Sequence, residues 1–528
     1  MKQPYKYLLF FAICILAGAA RLISPALRPM HTDESVNALK TGMLLDSGYY
    51  RYDPGEYHGP VLYYAAFLAA KIRGQDSYMS LDEQTLRMVP AVFGLSLLLL
   101  LLLLTGELGW PVVLAAALLL AVSPALAFYS RYYIHETLLV FFSYAAIISA
   151  LRFIWDRKVY WLVLTGIFTG LMHATKETCL ISYGAVILTL LLFIVTRSGQ
   201  PGRMKMSLLS MQWWHLLIII VAGAVVSALF CSSFFSHPQG IIDSYTAYRV
   251  YTSRAGFNNA HVHPWYYYIR IFLLPDRTNS HCWSDAWLLI PAFYGLFRLF
   301  SAKQRNRKND LLLFIGCYTM LLLIFYSAIP YKTPWNMLQV YPGIILLTAY
   351  GLMEIINIRT AGWLKTSILI LILAAAVHWV WTSWQLNFIH YNDRSNPWVY
   401  AHTSPDVLDL RDEIDRIGTV HPDKYEMPVE IIFPQNDYWP LPWYLRRYPN
   451  TGYWDHVDTC QAPATLIIAA ASFEQDLVKK LYDLPPPGKR YLYVPLFRSY
   501  KELRPGIEMR AWLRKDIWDK YQVAKVHD

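Results

Sequence analysis

Charge is scarce in this sequence. Only 16% of its 528 residues are Asp, Glu, Lys or Arg, whereas 55% are hydrophobic, and this composition argues against a simple soluble protein. The six cysteines show no spacing typical of a metal or redox site. Four of them fall in apolar runs, which leaves Cys282 and Cys460 as a candidate disulfide pair.

A nucleic-acid reader is also missing. The net charge is +10, but no stretch combines basic and aromatic residues as reader modules do. Lys and Arg collect in the cytoplasmic loops of membrane proteins, which accounts for the positive charge. The sequence shows no internal repeat. We therefore expect membrane lipids around the chain and no nucleic acid as a partner.

Long apolar runs, by contrast, are abundant. A run of about 20 apolar residues crosses a hydrocarbon core of roughly 30 Å as a helix. Such segments predict about eleven transmembrane helices, at 7–23, 88–105, 110–128, 137–151, 160–175, 179–196, 213–231, 285–300, 311–329, 337–356 and 366–386. The stretches 60–72 and 264–274 are too short to span comfortably, so we interpret them as interfacial or re-entrant helices. If both stretches are counted as spans, the total is thirteen transmembrane helices.

The charges of the connecting loops predict the orientation. Lys2 and Lys6 would hold the start of an uncleaved first helix in the cytoplasm. With this start, the predicted cytoplasmic loops at 152–158, 197–205, 303–308 and 359–365 are all basic. The outer parts are then loops 24–87, 129–136, 232–284 and 330–336, and everything after about 387. We therefore expect an integral protein of the inner or plasma membrane with an extracytoplasmic C-terminus.

The C-terminal part, 393–528, is more polar than the membrane part, 1–392. Its patterns predict helices at 404–417 and 473–483 and strands at 430–433, 465–471 and 491–497. This order is typical of a small α/β domain. The predicted fold class is thus a polytopic α-helical membrane protein with a small extracytoplasmic α/β domain.

The first outer loop opens with His31-Thr32-Asp33-Glu34-Ser35. A carboxylate at the membrane surface is partly desolvated, which makes it a stronger base. The alternative is a solvated pair of charges or a helix cap. His58, in the same loop, precedes Gly59-Pro60, and there the alternative is a simple turn.

The second outer loop, SRYYIHET, contains Arg131, His135 and Glu136. His135 and Glu136 beside the first acidic pair would bind a divalent cation or position a hydroxyl nucleophile. Dense ligand spacing is lacking, so the alternative is an interfacial anchor with a snorkelling Arg131.

Two lysines lie at the outer ends of predicted spans. Lys176 is followed by Glu177, and Lys332 follows Tyr331 in the short outer connector PYKTPWN. These cations suit the phosphate of a lipid headgroup, although snorkelling at a helix end is the alternative for each. Acids for a base and cations for a phosphate together indicate sugar transfer from a lipid-phosphate donor.

These motifs resemble those of the GT-C glycosyltransferases, the membrane enzymes related to protein O-mannosyltransferases and the aminoarabinose transferase of lipid A. The resemblance rests on Asp33-Glu34, on HGPVLYY at 58–64, on SRYYIHE at 130–136 and on TKE at 175–177. The strings PYKTPWNMLQVYPG and DYWPLPWYLRRYP are similar to the Agl23-type, flippase activity-associated branch.

The resemblance implies a polyprenyl-phosphate sugar donor, inversion at the anomeric carbon and a lipid, glycan or protein acceptor. It implies Asp33 as the general base, assisted by Glu34. The supporting acceptor or metal set would be His31, His58, Arg131, His135 and Glu136, and the donor phosphate would meet Lys176, Lys332 and Tyr331. Glu136 and His135 would hold any Mg or Mn ion, but His-Glu replaces the Asp-centred motif of the relatives and leaves the metal open.

Two other classes compete with a transferase. A flippase or transport component would need ionisable residues at mid-bilayer depth, and the predicted spans have few. A non-catalytic scaffold would recruit other envelope enzymes through the C-terminal domain.

Overall fold

The computed structural model describes residues 2–55, 58–196, 211–254, 261–273, 276–278, 281–302, 306–486, 488 and 490–527. They form two units. The membrane unit comprises Met1–Pro25, Met43–Asp76 and Asp82–Tyr400, and the C-terminal unit comprises Ala26–Gly42, Ser77–Leu81 and Ala401–Asp528. The sequence predicted a division into 1–392 and 393–528, and this division stays a prediction. The C-terminal unit also includes two segments of loop 24–87.

Helices dominate the membrane unit. Among the described residues, six helices are long and apolar enough to cross a membrane: Gln3–Leu27, Glu83–Leu108, Glu136–Asp156, Trp213–Cys231, Arg307–Ala328 and Gly362–Ile389. Six shorter apolar helices accompany them: Val61–Ile72, Trp110–Ala121, Tyr160–His173, Cys179–Val195, Ala286–Ser301 and Tyr341–Ile356. Each of the eleven predicted spans coincides with one of these twelve helices, so the predicted polytopic α-helical fold class is confirmed.

The short helix Val61–Ile72 is the same length as Trp110–Ala121, which was counted as a span. The interpretation of 60–72 as interfacial rested on its length and on the loop charges. Because length does not separate it from Trp110–Ala121, only the loop charges still favour that interpretation, which stays a prediction. The second short stretch contains the helix Tyr267–Leu273, which is only seven residues long.

Small residues let two of the membrane helices approach closely. On Tyr160–His173, Gly166 and Gly170 lie one turn apart, and a Cβ on Gly170 would lie only 2.4 Å from the Gly223 carbonyl oxygen of Trp213–Cys231. In lipid, helices associate through such close packing because the hydrocarbon surroundings are as apolar as the side chains.

One helix forms the centre of the membrane unit. The most apolar part of Glu136–Asp156 is 83% buried, against 6% for the peripheral helix Gly362–Ile389. The central helix begins at Glu136, so this acidic residue stands at the entrance to the buried interior.

The C-terminal unit is built on a mixed sheet. Its strands are β3 (Val429–Ile432), β4 (Thr451–Trp454), β5 (Leu466–Ala470), β6 (Tyr493–Pro495), β7 (Glu502–Arg504) and β8 (Ile507–Arg514), since β1 (Asp276–Thr278) and β2 (His281–Trp283) form a hairpin in the membrane unit. The order is β4-β3-β5-β8-β6, with β7 beside β8. Strand β3 pairs in parallel with β4 and β5, and the remaining pairs are antiparallel. The sequence patterns found β3, β5 and β6 and missed β4, β7 and β8.

The helix Asp406–Val420 packs its apolar face within the C-terminal unit. Its buried residues Val407, Leu410, Ile414 and Ile417 recur every three or four positions, which is the spacing of one helix face. This periodicity explains why the helix was predictable from the sequence.

Candidate active-site residues

The acidic pair of the first outer loop begins a helix in the C-terminal unit. The helix Thr32–Ser47 holds Asp33 and Glu34 in its first turn. The Glu34 carboxylate turns back and accepts the backbone N–H of His31 at 2.9 Å, as in a capping box. Glu34 is fully buried. The alternative of a helix cap therefore describes Glu34.

Asp33 has a different environment, although it is the next residue. Its side chain is 52% exposed, and its carboxylate lies 3.8 Å from His31 Nδ1. The backbone N–H of Asp33 donates to that same nitrogen at 3.1 Å, so Nδ1 acts as an acceptor and carries no proton. Asp33 is thus an accessible carboxylate beside an imidazole nitrogen that accepts the Asp33 backbone N–H.

A second polar cluster lies in the membrane unit. His58 Nδ1 is 2.7 Å from Glu177 Oε2, and the Tyr52 hydroxyl donates to Glu177 Oε1 at 3.3 Å. Burial opposes the charge of Glu177, but His58 and then Lys176 outweigh burial, so the pKa of this carboxyl is lowered. Glu177 is therefore an ionised carboxylate although it is buried. The sequence placed Glu177 at the outer end of a span but assigned it no role.

Lys176 pairs with a different carboxylate, that of Glu136. Its ammonium donates to Glu136 Oε1, and both side chains are 8% exposed. The neighbours Lys176 and Glu177 thus each bind a partner of opposite charge or a histidine. The cation predicted for a phosphate is held in place by the acid at the start of the central helix.

A tight backbone contact brings His58 to this cluster. The Gly59 N–H donates to the Thr175 carbonyl at 3.1 Å, and the Val61 N–H donates to the Ala174 carbonyl at 3.1 Å. A Cβ on Gly59 would lie 2.2 Å from Ala174 O, so only glycine permits this approach. The turn that was the simpler interpretation of His58-Gly59-Pro60 therefore also delivers His58 to Glu177.

His135 completes the cluster. Its Nε2 lies 3.2 Å from the Gly59 carbonyl oxygen, which can only accept, so Nε2 carries the proton. The rings of His135 and His58 meet edge to face with centroids 5.0 Å apart. Burial, then the charges of His58 and Lys176, hold the pKa of His135 well below its ordinary value, so the ring is neutral.

Arg131 binds backbone carbonyls at the end of the first helix. Its guanidinium donates to the carbonyls of Ala20 and Ser24, each at 3.0 Å, and lies 4.6 Å from the ring centre of Phe388. These contacts satisfy carbonyl groups at a helix end. Arg131 is fully buried, and both interpretations of this residue stay predictions.

Lys332 and Tyr331 lie in a connector that pairs with the second large outer loop. The Lys332 N–H donates to the His261 carbonyl at 2.9 Å, and Tyr331 forms a bridge with Val262. The ammonium donates to the carbonyls of Ile329 at 2.5 Å and His263 at 3.0 Å. Burial lowers the pKa of Lys332. The sequence missed His261 and His263, whose only signal was the string HVHPW.

The predicted metal ligands have other partners. His135 Nε2 is hydrogen-bonded to the Gly59 carbonyl oxygen, and the Glu136 carboxylate accepts a hydrogen bond from the Lys176 ammonium. Within the described ranges, no group of three or more His, Cys, Asp or Glu side chains is arranged to hold a metal ion. These two residues do not fit a Mg or Mn centre as they stand, and the metal stays a prediction. The disulfide does too, because the side chain of Cys282 lies outside the described residues, whereas Cys460 is exposed.

A cavity of about 550 Å³ lies among the helices of the membrane unit. Its walls come mainly from Glu136–Asp156, Tyr160–His173, Cys179–Val195 and Trp213–Cys231, and most of the lining is apolar. His173, whose Nδ1 is 2.6 Å from Ser227 Oγ, belongs to the polar part of the lining. Because His173 ends its helix, the cavity reaches the helix end that is followed by Lys176.

Known proteins resemble the chain in a domain and in fold. Residues 62–237 match the dolichyl-phosphate-mannose-protein mannosyltransferase family. The structure of ArnT from Cupriavidus metallidurans bound to undecaprenyl phosphate is 13% identical, with a TM-score of 0.58 over 97% of this chain and 98% of that one. The archaeal oligosaccharyltransferase AglB from Archaeoglobus fulgidus, in complex with an inhibitory peptide and a dolichol-phosphate, is 14% identical, with a TM-score of 0.53 over 89% and 70%.

No curated protein sequence matches the chain. At 13–14% identity, the solved structures establish the fold. The chain is therefore an integral membrane protein with the fold of these two solved structures, and its residues 62–237 are similar to the dolichyl-phosphate-mannose-protein mannosyltransferase family.

Proposed function

We propose that the protein is a glycosyltransferase that moves a sugar from a polyprenyl-phosphate donor to a hydroxyl acceptor on the extracytoplasmic face. The ligands of the two solved structures, undecaprenyl phosphate and a dolichol-phosphate, support this donor class. The observation that carries the proposal is the half-exposed carboxylate of Asp33, which stands beside the buried, helix-capping Glu34.

Asp33 acts as the general base. It removes the proton of the acceptor hydroxyl, and the oxygen attacks the anomeric carbon from the face opposite the phosphate. The new glycosidic bond forms as the bond from the anomeric carbon to the phosphate oxygen breaks, and the polyprenyl phosphate leaves with the electron pair. A single displacement of this kind inverts the anomeric configuration. His31 Nδ1, which carries no proton, leaves the carboxylate available for the transfer.

Lys176 stabilises the departing phosphate. Negative charge grows on the phosphate in the transition state, and a preorganised cation stabilises that charge without further reorganisation. The Glu136 carboxylate accepts a hydrogen bond from the Lys176 ammonium and so holds it in place in the absence of donor. Lys332 and Tyr331, held by the His261–His263 segment, are the second contact that we assign to the donor phosphate.

The apolar cavity of the membrane unit receives part of the polyprenyl chain. Its lining is mostly apolar and includes His173, three residues before Lys176. A lipid in this position would place its apolar chain against the apolar lining and its anionic phosphate at the Lys176 ammonium.

The orientation follows from the loop charges. Arg152, Arg157 and Lys158 lie in one predicted cytoplasmic loop, and Arg359 and Lys365 in another. The charged residues at 197, 203, 205, 303 and 305 lie outside the described residues. With the N-terminus in the cytoplasm, the Asp33 loop and the C-terminal unit are extracytoplasmic.

The test is transfer by the full chain in proteoliposomes supplied with radiolabelled polyprenyl-phosphate sugars and native envelope acceptors. Asp33→Asn is expected to lower transfer by about 10²- to 10⁴-fold, because it removes the base but keeps the side-chain shape. Its thermal unfolding midpoint should match that of the parent protein. Unchanged transfer would contradict the role of Asp33, and lipid-linked sugar translocation without any transfer would instead favour a flippase component.

A further inference from the structure

The backbone that leads into Asp33 is held by side chains from the far end of the chain. The Met30 N–H donates to the Tyr444 hydroxyl at 2.7 Å, and the Thr403 hydroxyl donates to the Met30 carbonyl at 2.7 Å. Met30 itself is fully buried. Both neighbours belong, like Asp33, to the C-terminal unit. Thr32, two positions after Met30, is held as well.

The side chain of Arg504 binds Thr32. Its Nη1 donates to Thr32 Oγ1 at 2.7 Å, and Thr32 directly precedes Asp33. Nη1 also donates to the Trp439 carbonyl at 3.3 Å, and Nη2 donates to the Asp437 carbonyl at 3.2 Å. The Asp437 carboxylate pairs with the same guanidinium. Arg504 is only 8% exposed. One planar fork thus joins the end of β7, the turn after β3 and the start of the Asp33 helix.

We propose that Arg504 is a positioning residue for Asp33, and that the C-terminal unit is therefore part of the catalytic apparatus rather than a separable recruiting module. The inference rests on the proposed function of Asp33. Arg504 contacts no reacting atom: it orients the helix start through Thr32. A general base must lie within hydrogen-bond reach of the acceptor, and a misplacement of about 1 Å lowers the rate by about 100-fold.

Only arginine provides this arrangement. A guanidinium presents five N–H donors in a rigid fork, whereas a lysine ammonium is a point charge on a flexible stem. Arg504→Lys keeps the charge next to Asp437 but loses the simultaneous bonds to Thr32, Asp437 and Trp439.

The experiment measures donor kcat and KM for full-length Arg504→Lys, Arg504→Gln and Thr32→Val in proteoliposomes. We expect kcat to fall about 10- to 100-fold in each variant while KM for the donor stays within about twofold. Thr32→Ser keeps the hydroxyl and should retain kcat. Lys501→Gln is the matched control, because Lys501 lies three residues away and pairs with Asp406 and Asp409. It should leave kcat within about twofold of the parent value.

Two further measurements separate positioning from general stability. In an Asp33→Asn background, Arg504→Gln should cause no additional loss of transfer, because the group that it orients is gone. Hydrogen–deuterium exchange should rise at residues 30–36 in Arg504→Gln and stay unchanged in the Lys501→Gln control. Additive losses in the double variant, or unchanged exchange, would overturn the inference.

The outcomes also separate the positioning role of Arg504 from the proposed function of Asp33. If Asp33→Asn keeps full transfer, the proposed function fails. If Asp33→Asn is inactive but Arg504→Gln has the kcat of the parent protein, only the inference fails.

Discussion

Two pairs of adjacent ionisable residues, one in each unit, are built on opposite principles. In the pair Asp33–Glu34, one carboxylate is buried as a helix cap and the other is half exposed. In the pair Lys176–Glu177, both side chains are buried, and each has its own partner, Glu136 for the lysine and His58 for the acid. Residues that are neighbours in sequence therefore differ in role. An exposed carboxylate can exchange a proton, whereas paired, buried charges hold one another in place.

The sharpest test of this difference is to break a buried pair. Lys176→Met leaves Glu136 buried without its cation, and we expect the free energy of unfolding to fall by about 3–5 kcal/mol. The measurement is a thermal or denaturant unfolding curve in detergent. Adding Glu136→Gln to Lys176→Met should restore much of the loss, because the uncompensated charge is then removed.

Asp33→Asn provides the contrasting control, since a change at an exposed position stays within about 0.5 kcal/mol. An equal loss of stability in Asp33→Asn and Lys176→Met would show that the two pairs do not differ as described.

A second test uses pH. The folded state holds the pKa of His135 well below its ordinary value, so the unfolded chain binds a proton there first as the pH falls. Stability from this group is therefore complete above about pH 6.5 and declines below it, by up to about 1.4 kcal/mol per pH unit. Glu177, whose folded pKa is also lowered, adds a decline only at a lower pH, as the pH falls from the ordinary carboxyl value of 4.5 through its lowered folded pKa.

Unfolding midpoints between pH 5 and pH 8 check this expectation. His135→Gln should flatten the decline between pH 6.5 and pH 5, because no imidazole remains to be protonated. An unchanged slope in that variant would assign the decline to another group.

The smallest expected effect concerns the cap. Glu34→Gln keeps a side-chain acceptor for the His31 N–H but removes its charge, so we expect a loss of stability of about 1 kcal/mol or less. Transfer should fall far less than in Asp33→Asn. Equal losses of transfer in the two variants would mean that Glu34 also takes part in the chemistry.

Much of the fold was predictable because membrane insertion depends on local composition. All eleven predicted spans coincide with helices, although five of these helices are shorter than a full span. In the C-terminal unit, β3 and β5 are short, fully buried runs, whereas β4 is only half buried and has no apolar run to mark it. The missed strand β8 alternates between buried and partly exposed residues, and its charged positions hid the pattern.

The candidate site was predictable in residue type but not in pairing. Asp33, His58, His135, Glu136 and Lys176 were each singled out by sequence. Their partners were not, because no local pattern links His58 to Glu177 or Arg504 to Thr32.

Local sequence sets where the chain is apolar, which loops are basic and which connecting segments carry acids and cations. Each of these properties depends on neighbouring residues only. The tertiary structure decided that Glu34 is buried while Asp33 is exposed, and that Glu177 meets a histidine 119 positions away. It also decided that Thr32 meets an arginine 472 positions away. Burial and long-range hydrogen bonds depend on how the whole chain packs, and packing sets the chemistry of each carboxylate.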